Sequence, residues 1–186
     1  CGYPQIKELF EHRIGIPSID IKILDLGCGS STLSVDMSKA GYNVVGLDYV
    51  NDHIEYLNRK FNHVENLNFV CADFRDMTSV FPSSTVFDVV MDKGGFDSIL
   101  ASGHVDTAAK TSGQIDILLK GNGHFVCISH SNPETELGQK LLAVVLQNVD
   151  LISFRWNVDI HSSSMTTEDD GSGGFHVYIF QKIRRP

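Results

Sequence analysis

The sequence predicts an α/β domain: a seven-stranded, mostly parallel sheet with helices on both faces and an antiparallel last strand. Three observations predict it. Short β-branched runs alternate with amphipathic stretches along most of the chain, which is the order of a parallel sheet covered by helices. The first run ends in a glycine-rich turn, Gly27-Cys28-Gly29. The last two runs, Leu151–Val158 and Phe175–Gln181, have only a polar stretch between them, so they pair antiparallel.

The elements follow in order. Ile21–Leu26 is the first strand, and Ser30 or Ser31 caps the next helix, whose Leu33, Met37 and Ala40 share one face. Gly41 closes that helix. Asn43–Leu47 is the second strand, with Asp48 at its end. Asn51 or Asp52 caps a helix that buries Ile54, Leu57 and Phe61. Leu67–Cys71 and Val86–Met91 are strands three and four. A helical stretch then runs through Leu119 with Gly113 as its weak point, and Gly121-Asn122-Gly123 turns the chain into strand five, Phe125–Ser129. Pro133 starts a helix reaching about Asn148, before the two final strands. The segment His161–Gly174 between those strands is rich in Ser, Thr, Asp and Gly and reads as a mobile loop. The phenyl and indole rings of Phe154 and Trp156 alternate with polar residues and read as sheet-face packing.

Composition bounds the function. The chain has 186 residues, 42% hydrophobic and 20% charged, enough for one domain with one sizeable core. No apolar run approaches the ~18 residues of a membrane span. Cys1, Cys28, Cys71 and Cys127 form no CxxC pair, which argues against a zinc site or disulfide framework and for a reducing, cytoplasmic setting. The first residue is cysteine rather than methionine, so the natural N-terminus is expected to be missing, which leaves a targeting sequence open. A formal net charge of −8 disfavours nucleic acid and suits a basic protein or a cationic small molecule. The one basic cluster, Lys182–Arg185, reads as a basic patch or equally as a solvated tail.

The chemistry concentrates at Ile23–Ser31 and Asp48. A glycine turn after a strand lets a ligand approach the backbone, and the following helix presents free N–H groups. An acidic residue ending the second strand can accept both ribose hydroxyls of an adenosine cofactor, and Asp48 lies 21 residues beyond Gly27. This is a Rossmann-like arrangement. A nicotinamide or flavin cofactor would require G-x-G-x-x-G, whereas position 32 is threonine. A glycine turn with no ligand is the bland alternative.

Asp25-Leu26-Gly27-Cys28-Gly29 resembles motif I of the class I S-adenosylmethionine-dependent methyltransferases. Three further stretches are similar to a narrower subgroup: Ala72-Asp73-Phe74-Arg75-Asp76-Met77, Phe81-Pro82 and Phe87-Asp88-Val89-Val90-Met91-Asp92-Lys93-Gly94. The subgroup includes the eukaryotic lysine methyltransferases that modify translation elongation factor 1-alpha and citrate synthase. Its Asp-Lys-Gly signature usually continues Thr-Leu-Asp; here it continues Gly95-Phe96-Asp97. Cys127-Ile128-Ser129 also matches. The resemblance covers roughly Ile21–Pro133 well, and the last third only in its pattern of elements.

The resemblance implies S-adenosylmethionine as cofactor, a protein lysine as substrate, no metal and no membrane. Asp25 would hold the methionine amino group indirectly, and Gly27 and Gly29 would line the methionine and ribose. Asp48, with Tyr49 beside it, would take the ribose. Asp73 would accept from the adenine amino group, with Phe74 against the ring; a helix cap is the alternative for Asp73. Asp92 would sit by the methionine amino group and the reacting methyl, and Asp92 or Asp97 would orient or deprotonate the substrate amine. Lys93 pairs with a carboxylate or takes part in catalysis, and His130 lines the substrate side or is an ordinary surface residue. Subgroup members carry a longer aromatic segment before strand one than Cys1–Ile19, so part of a cofactor lid is expected to be missing. A small-molecule methyltransferase and a non-catalytic cofactor-binding module remain as alternatives.

Overall fold

The computed structural model describes residues 2–30, 32–82, 84–147, 154–162 and 174–184. Its strands are β1 (Lys22–Leu26), β2 (Asn43–Asp48), β3 (Leu67–Cys71), β4 (Phe87–Lys93), β5 (Leu119–Ser129), β6 (Phe154–Ser162) and β7 (His176–Arg184). They form one sheet in the order β3-β2-β1-β4-β5-β7-β6. The first five pair in parallel, and β7 runs antiparallel to both β5 and β6, as expected for the last strand.

The helices are α1 (Tyr3–Ile14), α2 (Leu33–Ala40), α3 (Asn51–Lys60), α4 (Gly95–Ala101), α5 (Val105–Leu118) and α6 (Glu136–Gln147). Side chains alternate across a strand, so each face builds its own core. Ile23, Val89, Met91, Val126 and Ile128 meet α1, α2 and α3 on one face. Leu24, Leu26, Val90, Phe125 and Cys127 meet α4, α5 and α6 on the other. Helix α1, which the sequence reading left unassigned, is capped by Gly2 and Gly15 with Pro4 in its first turn. Its buried Tyr3 and Phe10 contact each other and Tyr42 edge-to-face, with centroids 5.6 to 6.2 Å apart, and the Tyr42 hydroxyl donates to the Gly15 carbonyl at 2.8 Å.

Several expectations need correction. The α2 N-cap is Thr32, whose hydroxyl donates to Asp36, not Ser30; Ser31 lies outside the described residues. Helix α3 starts after Val50 rather than at a side-chain cap, because Asp48 accepts from the Val50 N–H. The helix expected through Leu119 is two helices broken at Ser102–His104, and Gly113 sits inside α5 without consequence. Strand β5 already begins at Leu119, and Gly121–Gly123 is an irregularity inside it, where the register on β4 shifts between Phe87 and Val89. Helix α6 starts at Glu136, three residues after Pro133. Lys182 belongs to β7 and is only 6% exposed, pairing with Asp116 at 2.9 Å, so it is no solvated tail. Of the segment read as a loop, His161 and Ser162 are in β6; residues 163–173 lie outside the described residues, as do 151–153 of the sixth predicted strand and Asn148. No helix among the described residues is long and apolar enough to cross a membrane.

This topology fixes where a ligand can sit. Strands β2 and β3 extend the sheet to one side of β1, and β4 returns to the other, so the connections diverge between β1 and β4. Crevices in open α/β sheets form at such a point, outside the strand C-termini. Leu26 is in register with both Leu47 and Asp92 there.

Candidate active site at the C-terminal edge of the sheet

The turn after β1 is held from within. Gly27 and Gly29 have φ of +62° and +44°, a region that suits glycine. Between them the buried Cys28 donates its N–H to the Leu47 carbonyl at 3.0 Å, tying the turn to β2. Asp48, only 8% exposed, accepts from the N–H of Gly29 through Oδ2 and of Val50 through Oδ1, both at 3.1 Å. The Gly29 carbonyl meets His53 Nε2 at 2.7 Å.

Asp25 lies on the α2 side of β1 and accepts from the Ser34 hydroxyl at 2.5 Å. Burial pushes its carboxyl up to about 6, against the pull of the Ser34 hydrogen bond and the Lys93 charge. Lys93 thus faces a carboxylate, one of the two roles considered for it. Asp92 is on the opposite face, fully buried. It accepts from the Phe96 N–H at 3.2 Å and from Cys127 Sγ at 3.4 Å. Burial, reinforced by the charges of Asp97 and Asp25, pushes its carboxyl up to about 7. Gly95 is the residue that tolerates this placement, since a Cβ there would run into the Asp92 carboxylate.

Asp97 ties α4 to the end of β5. It accepts from the Ser129 hydroxyl at 2.6 Å, the His130 N–H at 2.9 Å and the Ser131 hydroxyl at 3.2 Å. The Tyr178 hydroxyl donates to the Ser131 carbonyl at 2.6 Å and fastens the same segment from β7. His130 enters this network through its backbone.

Beyond β2 and β3, the 75% exposed Tyr49 lines a cavity of about 290 Å³ together with Asp73, Phe74, Arg75, Ile99 and Thr107. Asp73 caps the 3₁₀ helix Phe74–Ser79 by accepting from the Arg75 N–H at 2.8 Å. The Arg75 side chain also grips it, Nε at 2.9 Å and Nη2 at 2.5 Å, and these bonds hold its carboxyl below the ordinary range. The cap reading of Asp73 is therefore realised, alongside its place on the cavity. The Phe74 ring leans over the glycine turn; a Cβ on Gly27 would lie 3.1 Å from Phe74 Cζ.

One edge thus brings together Asp25, Gly27, Gly29, Asp48, Tyr49, Asp73, Phe74, Asp92 and Asp97. The sequence reading missed His53, Arg75 and Ser34. Arg75 was legible as a cap partner two residues after an acid, whereas the pairing of His53 with Gly29 spans 24 residues and leaves no local signal. The donor set fits S-adenosylmethionine. That ligand presents an ammonium, a sulfonium, two ribose hydroxyls and an adenine amino group, and this edge answers with carboxylates and glycine backbone.

A family model described as a methyltransferase domain matches residues 18–168. EEF1A lysine methyltransferase 4 of Mus musculus is 32% identical over 122 residues, covering 60% of this chain and 47% of the relative. The eEF1A lysine and N-terminal methyltransferase of Bos taurus is 32% identical over 117 residues, covering 58% and 16%. The chain spans about half the length of the first of these relatives, and less of the second. A solved TehB-like SAM-dependent methyltransferase from Corynebacterium glutamicum superposes with a TM-score of 0.61 at 21% identity, over 89% of this chain and 80% of that one. At that identity the likeness is one of fold.

Proposed function

The chain belongs to the methyltransferase-domain family, with S-adenosylmethionine as cofactor, and from that premise we propose that it methylates a lysine side chain of a protein. The observation that carries this reading is the 32% identity to a lysine methyltransferase acting on elongation factor 1A. The net charge of −8 supports it, because it favours encounter with a basic substrate.

Bound at the switch point, the cofactor would supply an electrophilic methyl group on a positively charged sulfur. The chain contributes alignment, charge and exclusion of water. Asp48 takes the ribose hydroxyls, its carboxylate aimed by the Gly29 and Val50 N–H groups. Gly27 and Gly29 admit the cofactor against bare backbone. Tyr49, Asp73 and Phe74 hold the adenine end in the cavity they line. Asp25, tied to Ser34, supports the turn and the amino group indirectly.

Lysine must be neutral to attack, and its reference pKa is ~10.4. Desolvation at the mouth lowers that value, and positive charge accumulates on nitrogen as the methyl arrives. Asp92 lies beneath the reacting centre, and because burial pushes its carboxyl up to about 7 it supplies a negative charge there only in its ionised form. Asp97, with three donors already engaged, is a positioning residue that fixes the His130 segment against the substrate.

The test is incubation with methyl-labelled S-adenosylmethionine and purified elongation factor 1-alpha, read by peptide mass spectrometry. Label on a lysine is the expected result. Label appearing only on small molecules of an added extract favours the metabolite reading, and cofactor binding with no transfer favours a non-catalytic module. An Asp92→Asn variant with full cofactor affinity and full turnover would remove the role given to that residue.

A further inference from the structure

We propose that His53 is a positioning residue that latches the cofactor turn from outside, an inference that rests on that turn holding S-adenosylmethionine. Gly29 is gripped on both sides of its Cα, through the N–H of the Cys28–Gly29 peptide and the carbonyl of the Gly29–Ser30 peptide. Its N–H donates to Asp48 Oδ2 at 3.1 Å, and its carbonyl lies 2.7 Å from His53 Nε2. A carbonyl only accepts, so Nε2 carries the hydrogen and donates.

Glycine at a φ of +44° has no side chain to fix its peptide orientation, and external partners must do so. With the carbonyl side unheld, Gly29 can turn about its own φ and ψ, which shifts the N–H on the other side of its Cα away from Asp48 and loosens the carboxylate that takes the ribose. His53 therefore acts on the cofactor through Gly29 and Asp48 without touching it. The latch itself is built into α3. His53 stacks on Tyr56, one turn further on, with centroids 6.3 Å apart and planes at 29°. It also borders a groove of about 370 Å³ between α2 and α3, shared with Val35, Lys39, Tyr56, Lys60 and Phe61. The ring is half-buried at the wall of an open groove and outside the core, so its packing does not account for its placement against Gly29.

Two variants separate the donor from the ring. His53→Phe keeps a ring to stack on Tyr56 and removes the donor. His53→Gln removes the ring and keeps an N–H that can reach the carbonyl. Loss of one net hydrogen bond corresponds to roughly 3- to 10-fold in affinity. We expect His53→Phe to raise the calorimetric Kd and the KM for S-adenosylmethionine by about that factor, with kcat unchanged. His53→Gln should stay within about 2-fold of the parent. In the cofactor-free protein, the Gly29 amide of His53→Phe should shift and exchange faster by NMR, which reads the latch whether or not cofactor binds.

A His53→Phe variant that binds as tightly as the parent, with an unaltered Gly29 amide, overturns the inference. So does His53→Gln failing as badly as His53→Phe, which would assign the effect to the ring. A parent protein that binds no S-adenosylmethionine, while its Gly29 amide still responds to His53→Phe, overturns the functional reading and with it the cofactor role of the latch.

Discussion

Replacing Asp92 by asparagine should make the folded protein more stable at alkaline pH while reducing methyl transfer. The carboxyl is wholly buried, receives hydrogen bonds from the Phe96 N–H and Cys127 Sγ, and titrates at about 7. In the unfolded chain it titrates near the ordinary ~3.9. Below pH ~4 the group is neutral in both states and the stability it contributes is fully present. That contribution is lost as pH rises from ~4 through the folded value of about 7, because the unfolded chain ionises freely while the folded state resists a buried charge. Above it the cost is about 4 kcal/mol. Asparagine abolishes the charge and still accepts from Phe96, but it buries an amide donor without an evident partner, costing about 1–3 kcal/mol. The variant should therefore be more stable than the parent by about 1–3 kcal/mol at pH 8 and less stable by a similar amount at pH 4. Urea unfolding of both proteins at the two pH values measures this difference directly. A difference that is the same at both pH values would refute the reasoning, because it would mean that Asp92 does not titrate differently on folding.

Other perturbations test neighbouring parts. Gly27→Ala forces a side chain into a φ of +62° and 3.1 Å from the Phe74 ring; about 1–2 kcal/mol of stability and most cofactor affinity should be lost, seen by thermal melting and titration. Asp97→Ala releases the Ser129, His130 and Ser131 donors; steady-state kinetics should show a raised KM for the protein substrate with cofactor Kd unchanged. Lys182→Ala leaves the nearly buried Asp116 without its cation and should destabilise by about 3 kcal/mol in urea.

The parts of this molecule governed by local periodicity were legible in the sequence. Strand β3 was placed to the residue, and β1, β2 and β4 to within one or two residues, because β-branched runs flanked by turns admit one reading. The carboxylates and glycines of the edge were visible because strand ends in a parallel sheet all open on the same side. Helix boundaries were less legible. The cap of α2 fell on Thr32, where the hydroxyl finds Asp36 one turn on, and the start of α3 is set by Asp48, outside the helix. Helix α1 has its own caps in Gly2 and Gly15 and Pro4 in its first turn, and its buried face is fixed by the distant Tyr42. The burial of Lys182 depends on Asp116, far along the chain, and charge composition alone leaves a basic patch and a solvated tail equally open. Long-range pairing also sets the surroundings of Asp97, whose donors come from the end of β5 and leave no local signal.

Gly27–Gly29 and Asp48 together are the proposed seat of S-adenosylmethionine. Calorimetric titration with that cofactor, beside NAD and with Asp48→Ala as control, tests it most directly. Saturable binding of S-adenosylmethionine alone, weakened roughly 10-fold or more in the variant as loss of a charged hydrogen-bond acceptor implies, is the predicted result. Binding of NAD instead, or S-adenosylmethionine bound equally well by Asp48→Ala, would contradict it.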